Sequence, residues 1–176
     1  MKKKLLHYFK IARIFFREYR AMFFGILIAL LYVAIRSGIA GRTSTLEILR
    51  DFIGGYLLVF GALHVTAGKK FTNLFGKYDL LAQKFPPYAL IYPYLILGMG
   101  VFLHINKLVT LIEAFTVLIF AEAAFSMWRA LKKKTHNPFH VAIGPRHTLA
   151  LAGVFVLESL CIALLALIAL YFRLIS

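Results

Sequence analysis

The chain has 176 residues, of which 61 % are hydrophobic, 15 % aromatic and only 16 % charged, and its mean hydropathy is +0.81. Globular chains in water carry about a quarter charged residues and about half apolar ones, so a disordered chain, a disulfide-rich secreted module and a free-standing soluble enzyme are excluded. The 21 Lys and Arg against 7 Asp and Glu leave a net charge of +14; no segment combines them with a soluble fold or an aromatic stacking platform, so anionic lipid headgroups, not nucleic acid, are the expected partner.

Residues 1–20, MKKKLLHYFKIARIFFREYR, place Lys3, His7, Lys10, Arg13, Arg17 and Arg20 at three- or four-residue steps, with Leu5, Phe9, Ile11, Phe15 and Phe16 between them. That pattern predicts a basic amphipathic helix lying on an anionic leaflet. A signal peptide is the competing reading, since the apolar run from Ala21 ends in the small residues Gly38 and Ala40. A basic lead of this length is long for the charged region of such a peptide.

From residue 21 to 176 the sequence reads as one transmembrane domain, an all-α five-helix bundle with spans over 21–40, 51–68, 88–105, 108–128 and 148–172. A span needs about 20 residues. The last two reach this easily. The first does so only by including Arg36, whose long stem snorkels to the interface, and the second is short unless Asp51 and Gly68 are counted in, so four spans is the alternative count. Between the second and third spans, GKKFTNLFGKYDLLAQKFPP sets Phe71, Leu74, Phe75, Tyr78 and Leu81 at helical spacing against lysines, which predicts an interfacial amphipathic segment ending at Pro86-Pro87.

The positive charges give the orientation, because they collect on the cytoplasmic side. With five spans, seven fall in 1–20, four in 69–84 and five in 129–147, leaving Arg36, Arg42, Arg50, Lys107 and Arg173 on the other side. The N-terminus is therefore expected in the cytoplasm and the C-terminus outside, in a bacterial or archaeal cell membrane.

Ionisable residues inside spans are costly and carry the functional hypotheses. His64, Glu113, Glu122 and Glu158 are these. Nine residues at about 100° each put Glu113 and Glu122 on opposite faces of one helix. Counted from the inner ends at about 1.5 Å per residue, His64 lies about 5 Å, Glu122 about 9 Å and Glu158 about 15 Å deep, so these three are candidates for an inner polar cluster if their helices meet. Arg36, Asp51, His104 and Glu113, with Arg50, are candidates for an outer group, where Glu113 is expected to stay solvated. The bland reading of all of them is interhelical hydrogen bonds and surface pairs that fix packing.

His136, His140 and His147 have the look of a metal site, but Pro138 breaks the helical spacing of HNPFH and the loop holds no Cys, Asp or Glu; no metal is expected there. Cys161 is alone, which excludes an intrachain disulfide and CxxC chemistry. Gly98, Gly100, Ala163, Ala166 and Ala169 suit close helix packing. No phosphate loop, nucleophile elbow or zinc-hydrolase motif is present, and no cofactor is expected.

RDFIGGYLLVFGALHV (50–65) and KYDLLAQKFPPYALIYPYLILGMG (77–100) resemble the MauE-like branch of the DoxX-type membrane proteins, and the similarity runs from about residue 50 to 172. The resemblance implies a small helical-bundle membrane protein that assists the maturation or redox supply of a partner. The acid at Glu158 matches the family pattern. Departures are His64 where many relatives carry Lys, Ile96 where they carry Glu, and THNPFHVAIGP where they carry a cysteine pair, so a thiol relay is not expected. The expectation is a non-enzymatic accessory protein with an intramembrane polar site and a membrane or periplasmic protein partner. A redox component handling a quinone or thiol partner, or a small transporter, are the alternatives.

Overall fold

The computed structural model describes residues 24–39, 41, 44–105, 108–133 and 148–175. The amphipathic lead over 1–20, Arg42, Lys107 and the histidines His136, His140 and His147 lie outside them. The described residues form six helices and no strand: α1 (Phe24–Ile39), α2 (Thr45–Tyr78), α3 (Leu80–Lys84), α4 (Pro87–His104), α5 (Val109–Lys133) and α6 (Thr148–Ile175).

Four of these, α2, α4, α5 and α6, are long and apolar enough to cross a bilayer, and α1 is a shorter apolar helix. At about 1.5 Å per residue α1 is about 24 Å long. The distribution of side chains is that of a membrane protein. Leu90, Leu118, Leu157 and Leu174 are each at least 60 % exposed, whereas Asp51, Asp79, Glu113, Thr116 and Ser126 are at most 1 % exposed. Water would penalise such an apolar exterior; lipid accepts it, and polar groups retreat inward to find partners. The chain is an all-α membrane bundle.

The helices pair as α2 with α4 and α5 with α6, and contacts from α2 to α6 and from α4 to α5 close the bundle. The α2–α4 seam is cut by glycine. Gly54 and Gly61 stand seven residues apart on one face of α2, and a Cβ on Gly61 would lie 2.7 Å from the Leu97 backbone nitrogen. A Cβ on Gly100 would lie 2.9 Å from the Leu58 nitrogen. Only bare backbone permits this approach. Gly98, expected to share that role, has nothing within 4 Å of its Cβ position, because it sits two residues from Gly100 and so on another face of α4.

The helix that carries the second span, 51–68, extends beyond it at both ends. The helix begins at Thr45 and not at residue 51, so Arg50 and Asp51 lie within it and are buried. Near its other end Gly68 takes φ 51° and ψ −129°, a conformation open essentially to glycine alone, and the chain folds back. Seven residues of straight helix advance about 10.5 Å, yet the rings of His64 and Phe71 stack with centroids 4.1 Å apart. The segment 69–78 therefore turns its aromatic side to the bundle, with Phe75 4.4 Å from Tyr92; the expectation was an amphipathic segment lying in the interface. Asp79 then caps α3 by accepting from the Ala82 N–H at 2.8 Å, and Pro87 opens α4, as proline does at a helix start.

Candidate functional site

Three rows of side chains at four-residue spacing converge inside the bundle. Tyr56, Phe60 and His64 form one face of α2; Phe71 and Phe75 belong to its folded-back end; Tyr88, Tyr92 and Ile96 come from α4. Side chains four apart on a helix are neighbours, which is how each row presents a continuous wall. Tyr56 stacks on Phe60 at 4.3 Å, and Phe60 meets the edge of His64 at 5.7 Å. These walls, without Tyr88 but with Tyr78 of α2, with Phe120, Ala123 and Met127 of α5 and with Phe155, Glu158 and Ser159 of α6, line a cleft of about 540 Å³ of empty volume, its open mouth included.

Polar groups punctuate this aromatic lining. The Tyr56 hydroxyl donates to Glu158 Oε1 at 2.8 Å, joining α2 to α6. His64, sandwiched by rings, has a buried Nδ1 with no hydrogen-bond partner among the described residues. Tyr56 and Glu158 also line an open surface groove, about 620 Å³ with its open side included, formed with Ile26, Phe52, Leu157, Cys161, Ile162 and Leu165. The Tyr56–Glu158 pair thus stands between an aromatic cleft and an apolar groove.

His64 and Glu158 face one cleft, but Glu122 is not part of its lining. Glu122 accepts from the Ser126 hydroxyl one turn further along α5 and lies beside Asp79. The proposed trio therefore divides in two, since depth along each helix says nothing about which face a residue occupies. Burial pushes the Asp79 carboxyl up to about 7; the Ala82 N–H opposes this and the neighbouring Glu122 reinforces it.

At the opposite end of the bundle the outer residues also divide. Arg36 and Arg50 flank Asp51 at 3.8 and 3.9 Å. Arg36 donates to the Tyr32 hydroxyl at 2.8 Å, and Tyr32 meets the His104 ring edge-on at 4.8 Å, so His104 belongs to this group. Glu113 does not. It is fully buried, where solvation was expected, and receives two hydrogen bonds from Arg173 of α6 at 3.0 and 3.1 Å. Among the described residues no group of three or more His, Cys, Asp or Glu is placed to hold a metal ion.

No family model matches this chain, and neither a curated protein nor a solved structure matches it. The site is therefore read from its own geometry. Two residues, Tyr56 of the cleft and Asp79 beside Glu122, are not among the candidates picked from the sequence. Tyr56 is one aromatic among many, and its only signal is the four-residue spacing to Phe60 and His64. Asp79 lies within the segment read as amphipathic and interfacial, and its position one before LLAQK is a helix-cap signal.

Proposed function

We propose that the chain is a membrane-integral accessory protein that binds one lipophilic molecule with a flat, oxygen-bearing head and an apolar tail, the chemistry of a prenyl quinone. The observation that carries this reading is the placement of the Tyr56–Glu158 pair at the junction of the aromatic cleft and the apolar groove. A flat ring stacks on Phe and Tyr faces, a hydrocarbon tail fits along Ile26, Phe52, Leu157, Ile162 and Leu165 of the groove, and a carbonyl or hydroxyl oxygen meets the phenol, the carboxyl and the free His64 nitrogen. A purely structural hydrogen bond between two helices needs no cleft or groove on either side. In this reading the protein supplies or stores the molecule for a redox or maturation partner, the role the resemblance to MauE- and DoxX-type proteins implies.

The orientation belongs to the same proposal. Lysine-rich 69–84 and the end of α5 share one end of the bundle, joined by Leu80 N–H to Ser126 and by Arg129 to Gln83. Arg36, Arg50 and Arg173 lie at the other end. The positive-inside tendency supports a cytoplasmic lysine-rich end.

The test is titration of the purified chain in nanodiscs with a short-tailed benzoquinone, followed by quenching of intrinsic fluorescence. Saturable binding is expected, weakened about tenfold in Glu158→Gln and in Tyr56→Phe, the loss of one hydrogen bond of about 1.4 kcal/mol. The amide introduced by Glu158→Gln would still accept from the Tyr56 hydroxyl, so the fold should survive. No saturable binding, or unchanged affinity in both variants, would refute the reading.

A further inference from the structure

Where the folded-back end of α2 meets α5, two acids, Asp79 and Glu122, are neighbours. Asp79 is fully buried; its Oδ1 accepts from the Ala82 N–H at 2.8 Å, and the Leu81 N–H also acts on the carboxyl. Glu122 uses Oε1 to accept from Ser126, whose oxygen accepts in turn from the Leu80 N–H at 3.0 Å. Asp79 Oδ2 and Glu122 Oε2 are buried with no partner among the described residues, and Glu122 is a close neighbour of the Asp79 carboxyl. Two carboxylates have four acceptors and no donor between them. One proton supplies the donor and removes the repulsion.

We propose that Asp79 and Glu122 form a one-proton site that fastens the folded-back segment 69–84 to α5. The titratable groups facing the pair from other elements are phenols, Tyr78 of α2 and Tyr88 and Tyr92 of α4, and the Tyr88 hydroxyl is buried without a hydrogen bond. Phenols ordinarily stay neutral below about pH 10, so none competes as a base near neutrality. Arg129, the nearby cation at this end, is held by Gln83 at 3.4 Å. A divalent cation is a poorer occupant, because among the described residues no third acidic or imidazole ligand joins the pair.

The sign follows from linkage. An acid whose carboxyl is raised by the fold stabilises that fold while protonated, and the contribution is lost as pH rises through its folded-state value, here about 7 for Asp79. The segment is therefore docked in acid and loosened in base. Phe71, Phe75 and Tyr78 wall the aromatic cleft, so loosening opens one side of it. That last consequence rests on the ligand reading above; the proton site does not.

The experiment is pH-difference infrared spectroscopy on the full chain carrying Glu158→Gln, so that the cleft acid contributes no band. Its companion is a spin-label distance between Asn73→Cys and Phe125→Cys in a Cys161→Ser background. The carbonyl band of a protonated carboxylic acid should appear as pH falls through neutrality. Over the same range the short-distance population should lose about half or more of its share between about pH 5 and about pH 9. Asp79→Asn keeps the helix cap and supplies a permanent N–H donor. It should abolish both the band and the pH dependence while leaving the segment docked. Absence of a band titrating near neutrality, or its persistence in Asp79→Asn, overturns the proton site. A band lost in Asp79→Asn with no pH-dependent distance change overturns the fastening. Failure of quinone binding changes neither readout.

Discussion

At Gly61 a side chain would need the space that the backbone of Leu97 occupies, 2.7 Å from where its Cβ would be. Backbone cannot rotate aside as a side chain can, so relief requires α2 and α4 to separate, and over-packing of this kind costs about 3 kcal/mol at the upper end of its range. Gly61→Val is expected to lower the thermal unfolding midpoint in detergent by that equivalent. Gly98→Val, with open space around it, is the matched control and should change stability by no more than about 0.5 kcal/mol. Equal losses in both would mean that the α2–α4 seam is looser than its geometry shows.

The element on which the site depends most is α2, which contributes one wall before Gly68 and another after it. Because nothing lies within 4 Å of the Gly68 Cβ position, a substitution there meets no obstacle in space and acts through the backbone alone. Holding a β-branched residue at φ 51° and ψ −129° costs about 1–3 kcal/mol, and straightening the helix avoids the cost by pulling Phe71 and Phe75 from His64 and Tyr92. Gly68→Val should accordingly speed tryptic cleavage after Lys69 or Lys70 by about tenfold, since cleavage tracks the population of the undocked state. An unchanged rate would show that aromatic packing alone holds the turn.

Across the whole molecule the two ends of the bundle are fixed by different chemistry. At one end, shared hydrogen bonds through Ser126 join α3 to α5. At the other, the bidentate Arg173–Glu113 pair joins α5 to α6. Glu113 is fully buried, and removing one partner of such a pair leaves an uncompensated charge at about 3–5 kcal/mol, whereas replacing both with apolar residues is often neutral. Arg173→Leu should lower the unfolding midpoint strongly, and Glu113→Leu combined with Arg173→Leu should restore most of the loss. If the double variant is no better than the single, the pair contributes through packing and not charge.

Composition and periodicity determined that the chain is a helical membrane bundle, because hydrophobic length is a local property that lipid reads directly. They also picked out His64, Glu122 and Glu158 as ionisable groups in apolar surroundings. What only the tertiary structure decided is which groups meet. Depth along a helix is one coordinate of three, and the face a residue turns and the neighbour it finds depend on how helices pair. Thus Glu122 went to Asp79 and Ser126, Glu158 to Tyr56, and Glu113 to Arg173. The reversal at Gly68 was equally hidden. A glycine in an apolar run reads the same whether it is helical or left-handed, and only the aromatic contacts between the two limbs it joins make the costly turn worthwhile.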